Sequence, residues 1–293
     1  MLDVSVIIVN YNTSVLIRDL LATIEEKTEG ITYEIIVVDN NPTESFAIDL
    51  KDYQEKIIYL PLKENVGFGR ANNEGLKISR GRNIFFLNPD TLLLNNAIKI
   101  LSDYLDKNKN VGVCGGNLYD ANLNPNHSYM PILPSPLWDI NFLLCGLIFR
   151  ILKGKNIQFN FTSKPLRVGY ITGADMMIKR AVIDIVGPFD PDFFMYYEET
   201  ELSYRIKKSG FESHSIPDAK IIHLEGMSCD TSERRERMKN VSKKIYYSKT
   251  QSKFNYRLSS FLFKIYACLR LTLYKLIGNS KKYNYWNIVL DNL

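Results

Sequence analysis

The feature that most constrains the fold of this chain is a series of short apolar runs, rich in β-branched residues, that alternate with helical patterns. The predicted strands are Val4–Val9, Glu34–Val38, Lys56–Leu60, Asn83–Leu87 and Val111–Gly115. Short apolar runs bounded by turn residues are typical of strands buried on both faces. The intervening patterns predict helices at about Val15–Glu26, Glu44–Gln54, Gly69–Ser79 and Asn95–Lys107. This alternation predicts an α/β fold in which helices cover both faces of a parallel sheet.

Polar residues follow three of these predicted strands. Asn10 and Tyr11 follow the first strand, Asp39 follows the second, and Asn88-Pro89-Asp90 follows the fourth. In open α/β sheets, ligands bind beyond the carboxyl ends of the strands. Asp and Asn could also cap the helices that come next, but three strand ends of this kind favour a ligand site.

A glycine-containing loop, Glu64–Gly75 (ENVGFGRANNEG), is expected at the same edge of the sheet. Gly67 and Gly69 would let the backbone approach a ligand closely, and Arg70 could meet a phosphate. The loop lacks the third glycine of a dinucleotide fingerprint and does not follow the first strand, so that type of site is not supported.

The chain is less regular over residues 119–165, where prolines interrupt any long element. Within this segment Leu137–Leu152 is strongly apolar, which fits either a buried helix or a surface in contact with lipid or an amphiphilic substrate. Short strands are predicted further along, two within Arg167–Lys179 and one each at Glu212–Ile216 and Lys220–Ile222.

An acidic cluster follows an aromatic run at Phe193–Glu201 (FFMYYEETE). Because an unpaired ionised group is costly to bury, its three acids either face water at a helix N-terminus or line a pocket with an aromatic floor. A helix is predicted from about Glu199 to Ser209, in which Glu201 and Arg205 are spaced to pair. His223 ends the last predicted strand and is followed by a glycine turn.

Charge divides the chain into two parts. Residues 1–230 carry 23 Lys and Arg against 29 Asp and Glu, whereas residues 231–293 carry 14 against 3. We therefore predict an acidic globular body at 1–230 and a basic tail at 231–293 that meets an anionic partner, either lipid or nucleic acid. The four cysteines lack metal-type spacing, which predicts reduced thiols in a cytosolic protein.

The tail predicts two helices, Glu233–Lys249 and Phe254–Ile277. The second has too many charges to span a bilayer, but its pattern fits a helix lying in the surface of an anionic membrane. Packing against the body is the alternative. A nucleic-acid partner is not favoured, because the aromatics lie among aliphatics rather than forming a stacking platform. Its apolar positions are Phe254, Leu258, Phe261, Leu262, Ile265, Leu269 and Leu276, with Arg257, Lys264 and Lys275 opposite.

Together these motifs resemble the family-two glycosyltransferases of GT-A fold, especially the bacterial rhamnosyltransferase-like branch. The resemblance covers about residues 3–230 and implies that residues 1–230 form the catalytic domain. The matching pieces are VSVIIVNYN (Val4–Asn12), VVDNNPTES (Val37–Ser45), ENVGFGRANNEG (Glu64–Gly75), FLNPDTLL (Phe86–Leu93), TGADMMIKR (Thr172–Arg180), FMYYEETELSYRIKKSGF (Phe194–Phe211) and HLEGMS (His223–Ser228).

The resemblance implies the residues that hold a nucleotide-sugar donor. The strand ends would hold the nucleoside, the glycine loop would border the nucleotide and the sugar, and further contacts would come from the Asn-Pro-Asp motif and the TGAD turn. The implied residues are Asn10, Tyr11, Asp39, Gly67, Phe68, Gly69, Arg70, Asn72, Asn88 and Asp175.

The resemblance also implies a divalent metal and a general base. Asn88-Pro89-Asp90 takes the place of the family's Asp-x-Asp motif, which leaves Asp90 as the metal-binding carboxylate, and His223 completes the site. Hard Mg²⁺ or Mn²⁺ prefers oxygen ligands, and a histidine ligand favours Mn²⁺. The base that inversion requires is expected at Glu199, where the family usually has Asp, with Glu198 and then Glu201 as alternatives.

The predicted function is inverting transfer of rhamnose or a similar sugar from a dTDP- or UDP-sugar to a hydroxyl of a saccharide or lipid-linked acceptor. The protein would be cytoplasmic, peripheral on the inner face of the cell membrane, and active in surface polysaccharide or cell-wall biosynthesis. A homo-oligomer is left open. The alternatives are an inactive glycosyltransferase-like scaffold subunit and a sugar nucleotidyltransferase. The latter needs a basic glycine-rich loop after the first strand, where Asn10-Tyr11-Asn12-Thr13 stands.

Overall fold

The structure, a computed structural model, describes residues 2–42, 50–224 and 232–291. Its strands are β1 (Val4–Asn10), β2 (Tyr33–Asp39), β3 (Ile58–Pro61), β4 (Asn83–Leu87), β5 (Thr91–Leu93), β6 (Val111–Tyr119), β7 (Tyr129–Met130), β8 (Leu166–Val168), β9 (Tyr170–Ile171), β10 (Asp175–Lys179) and β11 (Glu212–His223).

The helices of the described ranges are α1 (Ser14–Lys27), α2 (Phe68–Ile78), α3 (Ala97–Lys107), α4 (Pro136–Leu143), α5 (Leu147–Lys153), α6 (Arg180–Val186), α7 (Glu198–Lys208), α8 (Ser232–Thr250), α9 (Lys253–Leu276) and α10 (Ser280–Asp291). A short 3₁₀ helix covers Lys51–Tyr53. The predicted helix at Glu44–Gln54 lies largely outside the described residues.

A mixed central sheet organises the fold. Its order is β3-β2-β1-β4-β10-β6-β11-β5, and β8 pairs with β11. Strands β1 to β4 are parallel, as predicted. All seven residues of β1 are buried, and because side chains alternate across a strand, Val6 and Ile8 pack toward α1 and α3. Ile7 and Val9 pack on the other face, with α2 and α7.

Strand β10 departs from the predicted all-parallel arrangement, because it is antiparallel to both β4 and β6. Strand β6 ends at the edge of the sheet where β4 ends, and residues 120–174 return the chain to that edge. Asp175 therefore starts β10 opposite Leu87, the last residue of β4. The chain must then run back through the sheet in the opposite direction.

Two other predictions are corrected locally. The apolar run Leu137–Leu152 forms two short helices rather than one, because Cys145 and Gly146 adopt φ values of 50° and 82° between them. The two strands predicted at Glu212–Ile216 and Lys220–Ile222 belong to one strand, β11, whose pairing with β6 is irregular between Ile216 and Lys220. Strands β5 and β7 and helices α6 and α10 were not predicted from the sequence.

Helix α8 packs against the body through the acidic-aromatic segment. Tyr246 and Tyr247 are fully buried and pack with Phe193. The Ser242 hydroxyl donates to the Met195 carbonyl at 2.7 Å, and Lys249 pairs with Asp190. These contacts cross the boundary predicted at residue 230, which itself remains a prediction.

Helix α9 lies against α4 and α10 through aromatic side chains. Tyr266 is 5.8 Å from Phe142 and 5.3 Å from Trp286, measured between ring centroids. Much of its predicted apolar face is not covered, since Phe254 is 73% and Leu276 82% exposed. In the described ranges, no helix is long and apolar enough to cross a membrane.

Gly67 joins the glycine loop to the acidic-aromatic segment. It has a φ of +89°, and a Cβ built there would lie 2.3 Å from the Phe194 carbonyl oxygen. That carbonyl accepts a hydrogen bond from the Phe68 N–H at 2.9 Å. Since a real Cβ cannot approach an oxygen so closely, only glycine allows this pairing.

We predict that Gly67→Ala destabilises the protein much more than Gly210→Ala. Gly210 has the same φ of +89° but no atom within 4 Å of a built Cβ. The control should therefore cost only the left-handed backbone penalty, about 1–2 kcal/mol, whereas Gly67→Ala must also break the contact with Phe194. Urea unfolding of both variants measures the difference. Equal destabilisation would show that the loop does not depend on this contact.

Candidate active site

The carboxyl ends of the strands surround a cavity of about 340 Å³. Residues from both the predicted catalytic domain and the tail line it. From the sheet edge and its loops these are Val9, Tyr11, Thr13, Asn40, Asn65, Gly67, Phe68, Asn88, Pro89, Asp90 and His223. The acidic-aromatic segment adds Phe194, Met195 and Tyr196, and α8 adds Arg234, Arg235, Met238 and Lys239.

Asn10 and Asp39 lie behind the wall of this cavity. They are directly opposite each other in β1 and β2, and the Asn10 amide donates to Asp39 Oδ1 at 2.8 Å. The Tyr59 hydroxyl donates to Asp39 Oδ2 at 2.8 Å, and burial together with this bond raises the Tyr59 pKa. Asp39 is fully buried. Of the predicted nucleoside contacts at the first two strand ends, only Tyr11 lines the cavity.

Two asparagines that sequence reasoning missed hold the glycine loop against the sheet. Asn40 donates to Asn65 Oδ1 at 2.9 Å and accepts from the Val66 N–H at 2.9 Å. Asn65 in turn accepts from the Gly67 N–H at 3.0 Å. Both residues line the cavity. Their positions directly after Asp39 and just before the Gly-x-Gly loop were the available signal.

Of the remaining predicted residues of the loop, one lines the cavity and three do not. Phe68 lines the cavity. Arg70 does not; its Nε donates to the Pro191 carbonyl at 2.7 Å. Gly69 packs against Phe189 and Glu198, and the buried Asn72 donates within its own helix to the Phe68 carbonyl. The Arg70 contact thus joins α2 to the Pro191 backbone, and the Asn72 contact stabilises α2 internally.

Asp90 and His223 are brought together from distant parts of the chain. Strands β5 and β11 pair His223 with Thr91, which places His223 Nε2 3.4 Å from Asp90 Oδ1. Asp90 is only 5% exposed. Beside them the buried Asn88 Oδ1 accepts no hydrogen bond from any described residue. The described residues contain no cluster of three or more His, Cys, Asp or Glu arranged for a metal ion.

Asp175 lies in the sheet rather than on the cavity wall. It is fully buried, and its Oδ2 accepts from the Gly116 N–H at 2.6 Å. Burial holds the pKa of this carboxyl well above its usual range. Oδ1 has no partner among the described residues. These contacts give Asp175 a structural position between β10 and β6.

The backbone turns sharply just before the acids. Tyr196 and Tyr197 have φ values of 70° and 67°, a region that non-glycine residues adopt only when the surroundings enforce it. Strain of this kind clusters at functional sites. Helix α7 begins directly after this turn, so the three acids occupy its first turn.

The three acids differ in surroundings. Glu201 pairs with Arg205 at 2.8 Å, as predicted, and Arg205 also donates to the carbonyls of Val186, Gly187 and Pro188. Glu198 is buried, and its Oε2 has no hydrogen-bond partner in the described chain. Burial, with the neighbouring charge of Glu199, holds the Glu198 pKa well above its usual range.

Glu199 is half-buried at the start of α7. A Cβ built at Gly173 would lie 3.7 Å from the Phe68 ring and 3.9 Å from Glu199 Cγ, so both side chains pack near Gly173. Thr200 Oγ1 donates to Glu199 Oε1 at 3.2 Å. Burial raises the pKa of Glu199. Neither Glu198 nor Glu199 lines the 340 Å³ cavity itself.

Comparison with known proteins identifies relatives of this chain. Residues 5–186 match the model of glycosyl transferase family 2. A dTDP-rhamnosyl transferase of Shigella flexneri is 30% identical over 227 residues, which cover 76% of this chain and 70% of that protein. An N-acetylglucosaminyl-diphospho-decaprenol L-rhamnosyltransferase of Mycobacterium tuberculosis is 24% identical over 239 residues, covering 74% and 75% of the two chains.

A solved structure also matches the fold. The crystal structure of GalNAc-T7 with UDP, GalNAc and Mn²⁺ has a TM-score of 0.58 and 18% sequence identity, and the match covers 84% of this chain. This chain spans half the length of that protein, and at this identity the likeness concerns the fold alone. With the family match to residues 5–186, these findings show that the chain belongs to glycosyl transferase family 2 and has the GT-A fold.

Proposed function

We propose that this protein is an inverting glycosyltransferase that moves rhamnose or a similar sugar from a dTDP- or UDP-sugar to a hydroxyl of a saccharide or lipid-linked acceptor. The convergence of Asn88, Asp90 and His223 on one cavity at the carboxyl edge of the sheet carries the proposal. Relatives that are rhamnosyltransferases, one of them acting with dTDP and one on a diphospho-decaprenol substrate by name, support the donor and acceptor classes.

The residues in the cavity fit a divalent cation. Asp90 offers a carboxylate, His223 an imidazole, and Asn88 a buried amide oxygen that lacks a partner in the described chain. This donor set suits Mn²⁺ or Mg²⁺ and leaves coordination positions for diphosphate oxygens. The bound ion would neutralise charge that builds on the leaving nucleoside diphosphate.

Glu199 is the proposed general base. In transfer, the acceptor oxygen forms a bond to the anomeric carbon, the bond from that carbon to the diphosphate breaks, and the hydroxyl proton passes to the base. Glu199 is the more accessible acid of the pair, whereas Glu198 lies beneath α2, where its high pKa favours the protonated form. The Thr200 hydroxyl helps to orient the Glu199 carboxylate.

We predict that Glu199→Gln abolishes Mn²⁺-dependent release of dTDP or UDP from the donor, while donor binding survives. Removing a positioned base typically costs 10²–10⁴-fold in rate. Glu198→Gln is the matched control and should keep measurable turnover. Near-normal turnover of Glu199→Gln would show that this residue is not the base, and loss in Glu198→Gln alone would assign the role to Glu198.

The pH dependence of the same reaction follows from the environment of Glu199. The base acts only when ionised, and burial raises its pKa above the ordinary value of 4.5. Activity should therefore fall as the pH drops through this raised pKa, so the acidic limb of kcat/KM lies above pH 4.5. An acidic limb at or below that value would contradict the assignment.

We further propose that the enzyme works at the inner face of the cell membrane and contacts anionic lipid through α9. Phe254, Phe261 and Leu276 on this helix are 73%, 62% and 82% exposed. Arg257 and Lys264 of the same helix are exposed as well. An apolar face with cations beside it suits the surface of an anionic bilayer.

Co-sedimentation with liposomes tests this contact. The protein should bind vesicles that contain anionic lipid and not purely zwitterionic ones. The double change Phe254→Ser and Phe261→Ser should weaken binding by at least about tenfold, since burying one such side chain is worth about 1.5–3 kcal/mol. Ile185→Ser, at another exposed apolar position, is the control. Equal binding to both vesicle types would show that lipid charge does not contribute to binding. No binding to either type would refute the proposed membrane contact.

A further inference from the structure

Helix α8 places three cations on the wall of the cavity that holds Asp90 and His223. Arg234, Arg235 and Lys239 all line it, although they belong to the tail and lie outside the motifs that predicted the site. Residues four apart on a helix lie on one face, so Arg235 and Lys239 form a single basic edge toward the cavity. The proposed donor would bring a diphosphate into this space.

Arg235 is the most informative of the three. Its side chain is partly buried, and it forms no hydrogen bond or ion pair with any other residue that the structure describes. Part of the surrounding wall is apolar, formed by Met238, Phe194 and Met195. The planar fork of a guanidinium matches two phosphate oxygens. Arg235 is therefore placed to bind an anionic group that enters the cavity.

Lys239 contacts both the acidic-aromatic segment and its own helix. Its Nζ lies 5.4 Å from the centre of the Tyr196 ring and 3.2 Å from Glu236 Oε1. These contacts hold Lys239 beside the strained backbone at Tyr196. Because Glu236 already neutralises much of its charge, Lys239 is expected to contribute less to anion binding than Arg235.

A metal ion held at Asp90 and His223 would contact only part of a bound diphosphate. Among the described residues that line the cavity, Asp90 is the only acid, and Asn88 stands where a second carboxylate would bring another charge to the metal. Because one ion can touch only some of the diphosphate oxygens, a guanidinium elsewhere on the cavity wall could bind the others.

We propose that Arg235, assisted by Lys239, binds the diphosphate of the nucleotide sugar, so that α8 forms part of the donor site rather than a separate tail. This inference rests on the proposed function. It makes Arg235 a binding residue that stabilises negative charge on the leaving group as the bond to the sugar breaks. The predicted tail would then bind the donor substrate as well as the membrane.

Calorimetric titration with UDP and dTDP in the presence of Mn²⁺ tests the assignment. Arg235→Gln should weaken binding of whichever nucleoside diphosphate the wild type binds by about 10- to 100-fold, as expected for loss of hydrogen bonds from a charged donor. Arg235→Lys keeps the positive charge but lacks the planar guanidinium. Its affinity for the nucleoside diphosphate should lie between that of the wild type and that of Arg235→Gln. The matched control is Arg237→Gln, in which the same helix loses an exposed arginine whose partner is Glu233, 3.8 Å away.

The outcomes separate the two proposals. The corresponding nucleosides, which lack the diphosphate, should bind wild type and Arg235→Gln equally. If Arg235→Gln binds the diphosphates as the wild type does, or weakens nucleoside and diphosphate alike, the inference fails and the proposed function stands. If the wild type binds neither diphosphate, the proposed function fails as well.

Discussion

The site depends on two backbone carbonyls of the acidic-aromatic segment. The Phe194 carbonyl accepts from the Phe68 N–H, which fixes the glycine loop, and the Met195 carbonyl accepts from Ser242, which fixes α8. The strained residues Tyr196 and Tyr197 follow immediately. Three parts of the chain that are far apart in sequence therefore meet at one turn. Because an interior polar group without a partner costs free energy, each of these bonds also restrains the segment it joins.

The arrangement separates the expected tasks of a transferase in space. The sheet edge, with Asp90 and His223, presents metal-binding groups to the cavity. Helix α8 contributes Arg234, Arg235 and Lys239 to the wall of the same cavity. The acids at the start of α7 do not line this cavity; Glu199 is half-buried and Glu198 is buried beneath α2. Proton removal is thus assigned to a residue outside the cavity that would hold the leaving diphosphate.

Local pattern predicted much of this structure, and long-range packing decided the rest. The runs at β1, β2 and β4 and the pair Glu201–Arg205 depend on residues close in sequence, and their predictions are confirmed. The direction of β10 depends on the edge of the sheet to which residues 120–174 return the chain. A local sequence pattern does not predict that path. From the sequence, Arg235 was predicted only to be part of a basic tail. Its position on the cavity wall depends on how α8 packs, with Tyr246 and Tyr247 against Phe193, and the sequence pattern does not show this packing.

The cavity at the sheet edge, which α8 helps to line, is the proposed donor site. A crystal structure of the protein with Mn²⁺ and either UDP or dTDP tests it most directly. The account predicts electron density for the ion against Asp90 and His223, and for the diphosphate between that ion and Arg235. Nucleotide bound elsewhere, or bound in this cavity with its diphosphate turned away from Asp90 and His223, would contradict it.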